Sequence, residues 1–176
     1  MASNGTGRRR FLSWCTDLLL AALGLLVAVP ALIYFCAPLR RKPGEESAAP
    51  TFQDVGPLSD FPVGQWSLKA VEVERRDGWK KTSVPQAIWV RRQGEGEVTV
   101  LSSICPHLGC PINWHPDRAE FVCPCHGGVF NASGRQVGGP PPRPMDRLDA
   151  EVRAGRLWVR WQDFKIGVAE RIPVNA

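Results

Sequence analysis

Cys105-Pro106-His107-Leu108-Gly109-Cys110 and Cys123-Pro124-Cys125-His126-Gly127-Gly128 are the two runs on which the reading of this chain turns. Thiolates and neutral imidazoles bind borderline and soft metals well, and these runs gather four of the six cysteines and two of the three histidines. Spacing alone leaves the metal open. Zinc accepts cysteine and histidine in tetrahedral sets, so the runs fit a structural zinc site. They fit equally a low-potential iron–sulfur cluster on the four cysteines, with the histidines incidental.

The surrounding sequence points to strands. Apolar or alternating runs at Trp66 to Val73, Ile88 to Val90, Val98 to Leu101, Phe121 to Val122 and Leu157 to Trp161 are separated by turn residues. Glu151 to Arg160 alternates on both sides of Ala154-Gly155, as a tight hairpin does. No stretch after residue 40 has the apolar period of a long helix. The expected fold is therefore all-β, a small antiparallel sandwich or open barrel, with most of the seven tryptophans packing strands or core.

Further toward the N-terminus, Leu18 to Ala37 is a run of twenty residues without charge. At about 1.5 Å per residue a helix of that length spans about 30 Å, the thickness of a hydrocarbon core. Pro30 within it is expected to kink the helix. The bulky Tyr34-Phe35-Cys36-Ala37 is a poor cleavage site, and Ile33 to Cys36 a poor lipidation site, so the helix is expected to remain as a single membrane anchor. Cys15 and Cys36 then read as ordinary apolar-helix residues. Arg8-Arg9-Arg10-Phe11-Leu12 before the run resembles the twin-arginine export signal, whose pathway moves proteins already folded around their cofactors. Arg40, Arg41 and Lys42 follow the run much as the arginines precede it, so charge bias does not orient it.

Between Pro38 and Gly64 proline, glycine, alanine and charge dominate without apolar periodicity, which reads as a linker. The expected organisation is an N-terminal segment at 1–17, an anchor at 18–37, a linker or hinge at 38–64 and a metal-binding domain at 65–176. The net charge of +5 does not indicate nucleic-acid binding, because the basic residues are scattered or flank the apolar run.

The two runs match, residue for residue, the boxes C-x-H-x-G-C and C-x-x-H-G of the Rieske family, which they resemble far more specifically than any zinc pattern. The resemblance implies a 2Fe-2S cluster with Cys105 and Cys123 on one iron and His107 and His126 on the other. Neutral imidazoles in place of two thiolates raise the potential to about −150 to +300 mV, against about −400 mV for all-cysteine ferredoxins. It further implies a disulfide between Cys110 and Cys125, as in the quinol-oxidising branch of that family. Such a bond needs an oxidising compartment, in agreement with the export signal, and places the domain outside the cytoplasm of a bacterial cell. Gly138-Gly139-Pro140-Pro141-Pro142 resembles the family's proline-rich lid over the cluster. His115 matches no ligand position and reads as a loop histidine.

Leu108, Gly128, Phe130, Pro140 and Pro141 are the residues expected to tune the cluster. High-potential members carry serine and tyrosine where this chain has Gly128 and Phe130. Without those two hydroxyl donors the reduced cluster is less stabilised, which predicts a lower potential and menaquinol as the quinol. The resemblance implies a subunit of a quinol:cytochrome c oxidoreductase, within a dimeric complex with cytochrome b and a c-type cytochrome. Quinol would meet His126, which takes a proton as one electron enters the cluster, and the domain would swing on its linker. Two other readings are a relay subunit of a membrane-bound molybdenum oxidase such as arsenite oxidase, and a structural zinc module.

Overall fold

The computed structural model describes residues 5–40, 51–77 and 80–174. The chain divides into two compact units, Met1–Glu45 and Glu46–Ala176. Among the described residues the first holds one helix, α1 (Gly5–Arg40), of which Gly7–Ala37 is long and apolar enough to cross a membrane. It starts well before the uncharged run and includes the three arginines. The hydroxyls of Ser13 and Thr16 donate to the Arg10 and Leu12 carbonyls at 2.9 and 2.8 Å, so these two side chains are satisfied within the helix. The helix continues through Pro30 without a break.

The second unit is built of antiparallel strands. β1 (Phe52–Pro57), β9 (Asp149–Arg153) and β10 (Arg156–Arg160) form one sheet in the order β1-β10-β9. β2 (Trp66–Asp77), β3 (Lys80–Arg92) and β4 (Val98–Ser102) form a second, in sequence order. β5 (Asn113–His115), β6 (Glu120–Cys123), β7 (Gly128–Asn131) and β8 (Gln136–Gly138) form a third. β11 (Asp163–Phe164) pairs with β12 (Pro173–Val174). The all-β fold with one apolar N-terminal helix is thus as the strand and anchor patterns predict.

The first two sheets share one apolar core, in which Val71, Val73, Ile88, Val90 and Val100 meet Phe61, Leu148, Leu157, Val159 and Trp161. The predicted hairpin closes through Ala154 and Gly155 at φ of +47° and +73°, the left-handed pair a two-residue turn requires. A second core lies under the third sheet. There Phe121 is fully buried, with ring centroids 4.6 Å from Trp114, 5.1 Å from Trp66 and 5.6 Å from Trp89. Trp66 and Trp89 come from β2 and β3, so these two rings carry the third sheet on the second.

Two readings need correction. Residues 52–57 belong to β1 and not to a linker; residues 41–50 of that stretch lie outside the described residues. β1 has no apolar alternation because much of what holds it lies on its neighbours' side chains. Asp54 forms an ion pair with Arg156 at 2.7 Å, and the Phe52 ring lies 5.1 and 5.4 Å from the guanidinium carbons of Arg153 and Arg160. His115 stands in β5, opposite Glu120, and not in a loop.

Candidate metal centre

The two boxes fold as matching loops, each spanning a cysteine and the fifth residue after it. In the first, the Cys105 N–H donates to the Cys110 carbonyl at 2.8 Å and the Gly109 N–H to the Cys105 carbonyl at 2.9 Å. In the second, Cys123 and Gly128 face each other at the end of β6 and β7, and the Gly127 N–H donates to the Cys123 carbonyl at 3.1 Å. Gly109 and Gly127 take φ of +80° and +66°, which glycine adopts without strain. The first loop is anchored from below: the Trp89 indole N–H donates to the Ile112 carbonyl at 2.9 Å, and Ile112 N–H to Ser103 carbonyl at 2.8 Å.

This arrangement sorts the donors by depth. Cys105 and Cys123 are buried, at 1 and 2% exposure, against the aromatic core. His107 is half-buried and His126 exposed, and their rings meet edge to face with centroids 4.9 Å apart. Cys110 and Cys125 are joined by a disulfide that ties the end of one loop to the middle of the other. The sulfurs of Cys110, Cys123 and Cys125 lie within 4.8 Å of one another.

Burial pushes the Cys105 thiol up to about 11. The His107 main-chain N–H, and more weakly that of Leu108, points at the sulfur and pulls the other way, while the neighbouring Cys123 sulfur pushes it further up. A buried sulfur provided with N–H donors but short of positive charge suits a metal, whose charge makes the thiolate the stable form. The set fits a cluster with two buried sulfurs and two imidazoles toward solvent. With Cys110 and Cys125 bonded to each other, it does not offer four free thiolates.

The remaining sequence-predicted residues surround this centre. Leu108 is 56% exposed, Phe130 is fully buried, Pro140 is exposed and Pro141 is buried. A Cβ on Gly128 would stand 2.6 Å from the Pro141 Cγ, so the lid is seated on a residue without a side chain. A Cβ on Gly139, at φ +78°, would fall 2.4 Å from the Gly127 carbonyl oxygen. Glycine is therefore required where the proline segment crosses the second box; Gly139 carried that signal only as part of the Gly-Gly-Pro-Pro-Pro run. The lid ends on Arg143, buried and bidentate to Asp146 at 3.1 and 2.8 Å. That pair was not legible beforehand, since buried and solvated ion pairs look alike in sequence.

Residues 54–153 match the family model for the Rieske [2Fe-2S] domain. A menaquinol:cytochrome c reductase iron-sulfur subunit of Geobacillus thermodenitrificans is 37% identical over 92 residues. That match takes in 50% of this chain and spans about half, 54%, of the relative's length. A protein of the same description from Bacillus subtilis (strain 168) is 30% identical over 156 residues, 86% of this chain and 90% of the relative. A chain of a hyperthermophilic respiratory Complex III is 27% identical over 80% of this chain and 98% of its own, with a TM-score of 0.38.

Proposed function

This chain belongs to the Rieske [2Fe-2S] family and carries that family's cluster, and from that premise we propose that it is the electron-transfer subunit of a membrane-bound quinol:cytochrome c oxidoreductase. Cys105 and Cys123 would hold one iron and His107 and His126 the other. The cluster, when bound, supplies a site for one electron at a time at a potential compatible with quinol oxidation.

The observation that carries the proposal is the difference in exposure between the two kinds of donor: both sulfurs are buried while His126 opens to solvent. An exposed imidazole can accept a hydrogen bond from a quinol hydroxyl and take up its proton, at a position where the buried thiolates cannot be reached. Leu108, which follows His107 in the first box and is exposed, would give an apolar contact for the quinol ring. Pro141, packed on Gly128, would cover the second loop and restrict water there. Gly128 and Phe130 offer no hydroxyl to the sulfurs, which favours a low potential and menaquinol as the donor.

Helix α1 anchors the domain, with the disulfide and the arginine signal favouring a domain on the extracytoplasmic side of a bacterial membrane. Cytochrome b and a c-type cytochrome are the partners this role requires. Low-temperature EPR of membranes, poised by redox titration with and without a quinol-site inhibitor, tests the reading. A Rieske signal with a pH-dependent midpoint and an inhibitor-altered line shape is expected. A Rieske signal indifferent to every inhibitor would remove the quinol role and favour relay to another oxidoreductase.

A further inference from the structure

The segment 163–174 lies beyond the residues matched by the family model, yet it touches both the first box and the lid. The Gly167 N–H donates to the Pro106 carbonyl at 2.8 Å. The Ile166 Cδ1 lies 3.8 Å from where a Cβ on Gly109 would stand, and a Cβ on Gly167 would be 3.6 Å from the His107 carbonyl oxygen. Gly167 makes this approach at φ +73°, a conformation glycine adopts without strain. On the lid side, the buried Arg143 donates from Nη1 to the Val168 carbonyl at 2.7 Å, while its Nε and Nη2 hold Asp146 at 3.1 and 2.8 Å. Arg171 donates back to the Arg147 carbonyl, and its guanidinium carbon stands 4.2 Å from the centroid of the Phe164 ring. The root of the segment is fastened separately, by the ion pair of Asp163 with Arg75 of β2 at 2.8 Å.

These contacts close a circuit between the two boxes. From Pro106 it runs through Gly167 and Val168 to Arg143, then along the lid to Pro141 and Gly139, which rest on Gly128 and Gly127 of the second box. The Cys110–Cys125 disulfide joins the same two boxes by another route. Two ties in parallel back each other up, so that losing both costs more than the two separate losses together. Two breaks in one tie, by contrast, have the effect of one.

We propose that residues 163–174 form a strap, clasped by Arg143, that holds the first ligand loop to the lid and the second loop independently of the disulfide. Arg143 and Gly167 are then positioning residues for the ligands of both boxes, and the strap keeps the cluster seated when the disulfide is open. This rests on the ligand assignment above, with the cluster held between the two boxes.

The test is the rate of cluster loss to a chelator from the full-length protein with the strap cut at either end. Gly167→Pro removes the donor to Pro106 and cannot adopt a positive φ. Arg143→Lys keeps a charge beside Asp146, but a single ammonium cannot also span to Val168. Each is made with the disulfide present and together with Cys110→Ala and Cys125→Ala. Either strap variant combined with the open disulfide is expected to lose the cluster about tenfold faster than the product of the two separate effects. Gly167→Pro and Arg143→Lys together are expected to do no more than the stronger of the two. Strap and disulfide effects that merely multiply, or fall short of the product, overturn the proposal, and so do effects of the two strap variants that multiply.

Deuterium exchange supplies a readout that needs no cluster. The Cys105 and Gly109 amides, both bonded within the first loop, are expected to exchange faster when either strap variant is added to the disulfide-free protein, and unchanged exchange overturns the proposal. In the unaltered protein the Gly167 amide is expected to be protected, and exchange as fast as a free amide overturns the proposal whether or not the variants fold. The expected exchange pattern in a protein without any Rieske signal would support the strap and refute the ligand assignment.

Discussion

The two halves of the β domain are held together by different means. β2 and β3 pair over twelve positions and, with β4, β9 and β10, close on an aliphatic core. The strands of the third sheet are three or four residues long and close on a cluster of aromatic rings into which two free thiols intrude. Long strands with buried alternating residues stabilise themselves through area removed from water and many ladder hydrogen bonds. Strands of three residues cannot, and the ligand lobe is cross-linked instead: a disulfide between its loops, a buried ion pair behind its lid and the cluster itself. The proposed ligands sit in the half that depends on those links, because loops free of a continuous ladder can present ligands at a tip.

That contrast predicts which substitutions separate the halves. The largest effect is expected from Cys105→Ser: complete loss of cluster iron and labile sulfide, with the far-ultraviolet circular dichroism of the first two sheets retained. Loss of all structure would mean that the halves fold only together. Phe121→Ala removes the ring packed against three tryptophans and is expected to cost about 3–5 kcal/mol, read by denaturant unfolding, with the cluster lost before the main transition. Leu157→Ala, in the other core, is expected to cost about 2–5 kcal/mol while the cluster persists up to that transition.

Removing the disulfide with Cys110→Ala and Cys125→Ala opens a link across 15 residues and is expected to cost about 3 kcal/mol, confined to the ligand lobe and seen as faster cluster loss to a chelator. The smallest structural effect belongs to Phe130→Tyr, which adds one hydroxyl and is expected to raise the midpoint; no shift would remove the basis for menaquinol. Gly128→Ser is expected to differ. Its Cβ collides with Pro141, so it should raise the midpoint fully only together with Pro141→Ala, and alone should loosen the lid.

The legibility of the sequence follows the same division. Strands buried on alternating residues were readable, as at Trp66 to Val73 and in the hairpin at Ala154-Gly155, because burial imposes a period. The extensions of β2 and β3 were not, since their outer pairs, such as Glu74 with Lys81 at 2.7 Å, are charged and solvated. β1 escaped because Asp54 and Phe52 find their partners on the β9–β10 hairpin, almost at the other end of the chain. In the ligand lobe the reverse held. The strands were too short to show a period, yet the two boxes were the most specific feature of the sequence, since metal ligation requires fixed residue types at fixed spacing. What no spacing revealed was the support: Gly139 packed on Gly127, Arg143 on Asp146, and Gly167 against Pro106.

The central claim is that two histidines and two cysteines share one cluster. The most direct measurement is pulsed EPR of the reduced protein grown with ¹⁵N-labelled histidine. Couplings to two histidine nitrogens are expected, with His107→Cys and His126→Cys each removing one. A reduced cluster without coupling to histidine nitrogen would contradict the claim, and so would a colourless protein that holds zinc.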